Sequence, residues 1–196
     1  MTVGTLKLIL ASRSPRRQEL LSRLGYEFGV AEPGIEESQI PGEKPAAHVL
    51  RLALEKARRI ASSFPSELVI GADTIVVLDE IILGKPSSPD EAVNMLKSLS
   101  GREHVVYTGL SMILLDGKIE KSDYDATKVI FNNLDDRDIF RYVESGEPMD
   151  KAGAYGIQGM GSFLVDHYEG EFDTVIGFPT KLFARMLEEV VSCRNR

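Results

Sequence analysis

Residues 6–25 read LKLILASRSPRRQELLSRLG. Leu6 to Leu10 is a short apolar run ending at Ala11 and Ser12, with the length and composition of a buried strand. Ser14 then stands where an N-cap side chain is wanted. Pro15 follows at the first helical position, where its missing N–H and fixed φ carry no penalty. Leu20, Leu21 and Leu24 recur on one face of the helix that this opens, and Gly25 stops it. A strand feeding into a helix through a tight loop is the unit from which α/β proteins are built, so this stretch sets the class.

The alternation continues along the chain. Val49, Leu52, Ala53 and Ile60 recur at helical spacing and predict a second helix from near Pro45 to about Ala61, with Lys56 on the same apolar stripe. Residues 67–72 read as a buried strand ending at Asp73, followed by a hairpin of residues 74–78 and 81–83 turned at Asp79-Glu80. After the loop Gly84-Lys85-Pro86, the run Ser88-Pro89-Asp90-Glu91 looks like a capping box and opens a helix ending at Gly101. Residues 105–115 and 118–131 flank Asp116-Gly117, a favoured two-residue hairpin turn, which predicts two long antiparallel strands. A helix over residues 135–144 closed by Gly146 comes next, then a glycine-rich run over 151–159, one or two short strands, and a final helix from residue 179 to about 191. The expected fold is α/β, with a mixed, partly antiparallel sheet flanked by helices. Two lobes around a cleft would suit this order within a single domain spanning residues 1–196, and no linker marks a boundary.

Composition narrows the function classes. The 196 residues are 43% hydrophobic and 27% charged, a globular balance that excludes intrinsic disorder and fibrous repeats. Against 30 Asp+Glu stand 23 Lys+Arg, a formal net charge of -7 with no basic block, so no nucleic acid polymer is expected as partner. Cys193 is the only cysteine, which excludes an internal disulfide and a thiolate metal site and suits a reducing cytoplasm. The apolar runs are too short for a membrane span and the N-terminus lacks the order of a signal peptide, so no membrane partner is expected either.

Five sets of residues could carry chemistry. Ser12, Arg13, Ser14, Arg16 and Arg17 lie at a strand-to-helix junction, where free backbone N–H groups, hydroxyls and guanidinium groups suit phosphate oxygens; a capped surface helix with solvated arginines would read the same way. Asp73 follows a continuous apolar strand, where an acid can hold a metal, activate water or simply cap a turn. Glu36-Glu37 offers adjacent carboxylates that could help hold a hard divalent cation. Lys56, amid its apolar stripe, either snorkels to the surface or faces a cleft that wants a cation. Lys85 and Lys151, each beside glycine or in a loop, are open to phosphate contact or plain solvation. The glycine-rich run has neither the dinucleotide fingerprint nor a P-loop pattern. His48, His104 and His167 lack metal-ligand spacing and read as structural or solvated.

Taken together, the runs at residues 8–21, Glu36-Glu37, Glu55-Lys56-Ala57, residues 71–76, Gly84-Lys85-Pro86, Leu99-Ser100-Gly101 and residues 151–159 resemble the Maf family of nucleoside triphosphate pyrophosphatases, in the family's order and over most of the chain. The resemblance implies a fold like that of inosine triphosphate pyrophosphatases. It implies hydrolysis between the α and β phosphates to a nucleoside monophosphate and pyrophosphate, with a divalent cation, Mg²⁺ or Mn²⁺. Asp73 matches the family's proton acceptor, and Lys56 and Lys85 its catalytic basic positions. Arg16, Thr74 and Gln158 match positions linked to base choice, in the combination of the branch acting on dTTP and UTP. Ser12, Arg13 and Lys151 match polar and basic positions for the substrate. Glu36, Glu37 and Asp73 are the metal candidates. A homodimer is what the family further implies. The alternatives are an inosine, xanthosine or 7-methyl-guanosine triphosphate pyrophosphatase, or a nucleotide-binding regulator of septum formation that does not hydrolyse.

Overall fold

The computed structural model of the protein describes residues 6–194. In chain order its strands and α-helices are β1 (Leu8–Leu10), α1 (Pro15–Arg23), β2 (Phe28–Val30), α2 (Pro45–Ala61), β3 (Leu68–Leu78), β4 (Ile81–Leu83), α3 (Pro89–Leu99), β5 (Glu103–Leu114), β6 (Ile119–Phe131), α4 (Asp136–Glu144), β7 (Val165–Glu169), α5 (Phe172–Ile176) and α6 (Thr180–Arg194), with short 3-10 turns at Glu147–Asp150, Ala152–Ala154 and Gly159–Leu164. Seven strands form one mixed sheet ordered β2-β1-β3-β5-β6-β7, with β4 added to β3. β1 pairs parallel with β2 and β3, whereas β4 on β3 and β7 on β6 are antiparallel. The mixed, partly antiparallel α/β architecture expected from the sequence is therefore the one formed.

The caps explain where the helices begin. Ser14 accepts from the backbone N–H of Arg17, Ser88 from that of Glu91 at 3.1 Å, and Asp135 from that of Asp138 at 2.8 Å. Glu91 returns the favour one residue early: its carboxylate accepts from the backbone N–H of Ser87 at 2.7 Å, not from that of the N-cap, so the box is displaced by one position. Gly25 and Gly146, with φ of 78° and 74°, end α1 and α4 as expected.

Three expectations need correction. The strand carrying Asp73 does not end there: β3 runs unbroken through it to Leu78, because residues 75–78 beyond the half-buried Thr74 are again buried and apolar and the ladder to β4 pulls the chain onward. The turn between β5 and β6 spans residues 115–118, closed by Lys118 N–H donating to Leu115 O, and its positive φ falls on Lys118, not on Gly117. A longer hairpin loop with one left-handed residue at its end replaces the two-residue turn. A short helix, α5, precedes the last one, which extends to Arg194. Asp79 and Glu80 both take positive φ, 49° and 65°, as a tight hairpin with two central left-handed residues requires.

Contacts divide the chain into two compact units, one of residues 1–73, 108–125 and 177–196, the other of residues 74–107 and 126–176. Three of the four divisions fall within β3, β5 and β6 and the fourth in the short connection between α5 and α6, which explains why no linker is visible in the sequence. Each unit has its own apolar core. In the first, Ile9, Ala11, Ala57, Ile60, Val69 and Ile113 pack together; in the second, Leu96, Leu99, Val106, Phe131, Ile139 and Tyr142 do.

No helix among the described residues is long and apolar enough to cross a membrane.

Candidate functional site

In the first unit the site is built where α2 lies against the sheet. A Cβ on Gly71 of β3 would run into the backbone oxygen of Ala53, and one on Gly109 of β5 into that of Val49, so glycines on neighbouring strands let the helix backbone come within contact of the sheet. Asp73 lies two residues beyond Gly71 and hence on the same face of β3. Lys56, one turn along α2 from Ala53, meets it there. The ammonium of Lys56 donates to Asp73 Oδ1 at 2.7 Å and pairs with Glu37 Oε1 at 2.6 Å. Lys56 and Asp73 are each 4% exposed. The lysine does not snorkel; it is a buried cation held by two carboxylates.

The junction between β1 and α1 supplies the rest. Ser12 is buried, and its Oγ accepts from Ser14 N–H and from Arg17 Nη1, both at 3.2 Å. Arg17 also donates through Nε to the Gly177 carbonyl at 2.9 Å, which locks its guanidinium over the junction. Burial lowers the Arg17 pKa from its ordinary value, against the raising influence of Asp73 and Glu37, while the neighbouring Arg16 lowers it further. Arg17 is thus close enough to both acids to feel their charge. Arg13 is placed differently: its side chain is exposed and pairs with Glu32.

The expected metal set is only partly assembled. Glu37 and Asp73 share Lys56, whereas Glu36 does not pair with it, and among the described residues no group of three or more His, Cys, Asp or Glu is gathered that could hold a metal. One atom fits a cation all the same. Asp73 Oδ2 is fully buried with no hydrogen-bond partner, an orphaned charge-bearing oxygen that a positive ligand would satisfy. A hard divalent ion such as Mg²⁺ is commonly held by one or two carboxylates together with substrate phosphates and water, without an all-protein cage, so this donor set suits it.

In the second unit the remaining candidates are Thr74, Lys85, Lys151 and Gln158. Thr74 is half-buried in β3, and Lys85 is exposed in the loop after β4, where Gly84 O accepts from Gly153 N–H at 3.0 Å. Lys151 is largely covered; its ammonium donates to Asp150 Oδ1 at 2.7 Å and to the backbone oxygen of Glu147. Gln158 is half-buried and its side chain makes no hydrogen bond to another described residue. The loop that carries it is wrapped on Tyr142 and Glu147, two residues that sequence reasoning did not single out. Tyr142 is buried on the apolar stripe of α4, and a buried hydroxyl there demands a partner, which was the signal available. Burial raises its pKa and keeps it a phenol. Glu147 gave no signal beyond being a turn acid. Arg17 was in view among three arginines, and nothing in the spacing distinguished it from Arg13.

The three histidines are structural or solvated, as read. His48 is buried and its Nδ1 lies 3.0 Å from Glu43 Oε2, His104 Nε2 lies 2.8 Å from the Tyr155 hydroxyl, and His167 is exposed beside Asp166.

Comparison with known proteins places these features in a wider set. The model of the family described as "Maf-like protein" matches residues 7–190. The chain is similar to the dTTP/UTP pyrophosphatase of Caldanaerobacter subterraneus subsp. tengcongensis, 48% identical over 190 residues that cover 95% of this chain and 91% of that one. It is similar also to the dTTP/UTP pyrophosphatase of Syntrophus aciditrophicus, 46% identical over 188 residues that cover 96% of this chain and 92% of that one. Among solved structures, a nucleoside-triphosphatase described as a dITP/XTP pyrophosphatase from Mycobacterium abscessus aligns over 95% of this chain and 98% of its own, with 14% identity and a TM-score of 0.47.

Proposed function

Because the chain belongs to the Maf-like protein family, we propose that it is a nucleoside triphosphate pyrophosphatase that hydrolyses dTTP and UTP to the nucleoside monophosphate and pyrophosphate. The relatives named for that activity support the substrate class. The observation that carries the chemistry is the state of Asp73: a buried carboxylate with one oxygen on the Lys56 ammonium and the other without a partner.

Asp73 accepts the proton of the attacking water as its oxygen bonds to the α phosphorus; the bond from that phosphorus to the bridging oxygen breaks, and pyrophosphate leaves with the electron pair. Asp73 and Glu37 are the residues that would hold a divalent cation, whose chemistry when bound is to acidify water and offset phosphate charge. Lys56 neutralises part of the carboxylate charge at the site, and Lys85 and Lys151 contribute cations toward the phosphates. Ser12 and Arg13 at the β1–α1 junction are assigned to the substrate as well. A triphosphate brings about four negative charges to a protein already at -7, so this many basic side chains is what binding requires. Arg16, Thr74 and Gln158 choose the base: a glutamine offers a donor and an acceptor, as the edge of a uracil or thymine ring does. Residues 1–196 act as one catalytic domain, working in the cytoplasm as a homodimer on a small-molecule substrate, with no nucleic acid polymer or membrane as partner.

The test is a panel of dTTP, UTP, ATP, GTP, ITP and 7-methyl-GTP with Mg²⁺ or Mn²⁺, assayed for monophosphate and pyrophosphate together. The expected order puts dTTP and UTP well above the purines, with the two products in equal amounts. An excess of 7-methyl-GTP or ITP turnover would defeat the pyrimidine assignment, and an orthophosphate product would defeat the reaction type.

A further inference from the structure

Gln158 stands between two backbone anchors. Two residues before it, the Gly156 N–H donates to the Tyr142 hydroxyl at 3.1 Å; two residues after it, the Met160 N–H donates to Glu147 Oε2 at 3.3 Å. The anchors are joined, because the Tyr142 hydroxyl donates to Glu147 Oε1 at 3.1 Å. Both carboxylate oxygens of Glu147 and both roles of the Tyr142 hydroxyl are therefore used in holding the segment that presents Gln158. The glycines of the segment face the same pair. A Cβ on Gly156 would meet the Lys151 side chain at 3.0 Å and Glu147 Oε1 at 3.3 Å, one on Gly159 would stand 3.5 Å from Glu147 Oε2, and one on Gly161 would run into the Gly156 backbone oxygen and stand 2.7 Å from the Tyr142 hydroxyl. Lys151 closes the start of the loop by donating to the backbone oxygen of Glu147. Gln158 itself makes no side-chain hydrogen bond to another described residue, so what fixes its position is the backbone on either side.

We propose that Glu147 and Tyr142 are positioning residues for base selection: by bracketing Gln158 at both flanks they hold its backbone at the place from which its amide reaches the base and discriminates pyrimidine from purine triphosphates. The inference rests on the assignment of Gln158 to the base and adds the device that makes that assignment work. A flexible glutamine rewards any base edge; one fixed by its neighbours rewards only the edge that fits, and selectivity of this kind depends on polar groups that cannot move to follow the wrong ligand.

Four variants test it in the full chain: Glu147→Gln, Tyr142→Phe, the two combined, and Gln158→Ala, each checked for cooperative thermal unfolding and then assayed on dTTP and ATP. Glu147→Gln keeps the shape but offers a single acceptor to two donors, and Tyr142→Phe removes both bonds of the hydroxyl. The expected result is a fall in the ratio of kcat/KM for dTTP over ATP of at least about fivefold in both, carried by a higher KM for dTTP, with the double variant no worse than the larger single effect. An equal loss on both substrates would overturn the proposal by making the pair a structural support only. So would an unchanged ratio in both folded variants when Gln158→Ala alters it. If Gln158→Ala itself leaves the ratio unchanged, the assignment of Gln158 fails, and the positioning role with it.

Discussion

Lys56 shows how one side chain decides between two readings that the helix pattern leaves equal. Its stripe neighbours are apolar, yet it is buried with Asp73 and Glu37 on its ammonium. Removing one member of a buried pair strands the other, so Lys56→Met should cost about 3–5 kcal/mol in urea unfolding, and adding Asp73→Asn should recover much of the loss. A single Lys56→Met variant as stable as the parent would contradict the buried pairing. Asp73→Asn alone should fold and lose at least about a hundredfold in turnover, the lower range for loss of a general base. His104 makes a prediction of a different kind. It is 2% exposed, and burial pushes its pKa down to about 4. The folded protein refuses a proton that the unfolded chain accepts below its ordinary pKa of about 6.5, so the stability due to neutral His104 is complete above that pH and is lost as pH falls toward 4. Over that window the loss is about 3 kcal/mol. Urea titrations of the parent and of His104→Gln, which keeps a polar partner for Tyr155, should show the slope against pH shrinking in the variant.

At the scale of elements, the placement of α2 on the sheet is the step on which the first unit's site depends. Gly71 is what allows it, since any Cβ there meets the backbone of α2, which cannot swing aside as a side chain could. Gly71→Ala should therefore destabilise by about 1–3 kcal/mol and, by pushing Lys56 away from Asp73, lower turnover as well. Full stability and full turnover in that variant would show that α2 is not held where the contact requires. The helices were legible because their signals are local: Ser14 with Pro15, Ser88 with Pro89, and Gly25 and Gly146 each act within one turn. The end of β3 was not. Whether a strand stops at an acid depends on what pairs with it further on, and β4 lies beyond Asp73 in sequence. The hairpin at residues 115–118 forms, but its two-residue turn was misread for the opposite reason: Asp116-Gly117 has the chemistry of such a turn, but the flanking strands stop short of it. Arg13 and Arg17 show the same limit within a single motif. They are four residues apart and chemically identical, and only the carbonyl of Gly177, far along the chain, tells which one turns over the junction.

For the whole molecule, the division into two units runs through β3, β5 and β6, so the sequence that reads as one uninterrupted α/β alternation holds two cores. The candidate residues divide with it. Ser12, Arg16, Arg17, Glu37, Lys56 and Asp73 belong to the first unit, and Thr74, Lys85, Lys151 and Gln158 to the second. In the proposed reaction water attacks the α phosphorus and Asp73 takes its proton. Hydrolysis of dTTP in heavy-oxygen water, with the products separated and weighed by mass spectrometry, tests the first half directly and, repeated with Asp73→Asn, the second. The expected products carry one heavy oxygen in the monophosphate and none in the pyrophosphate, and the variant reacts slowly with the same labelling. Heavy oxygen in the pyrophosphate, or undiminished turnover without the Asp73 carboxylate, would contradict it.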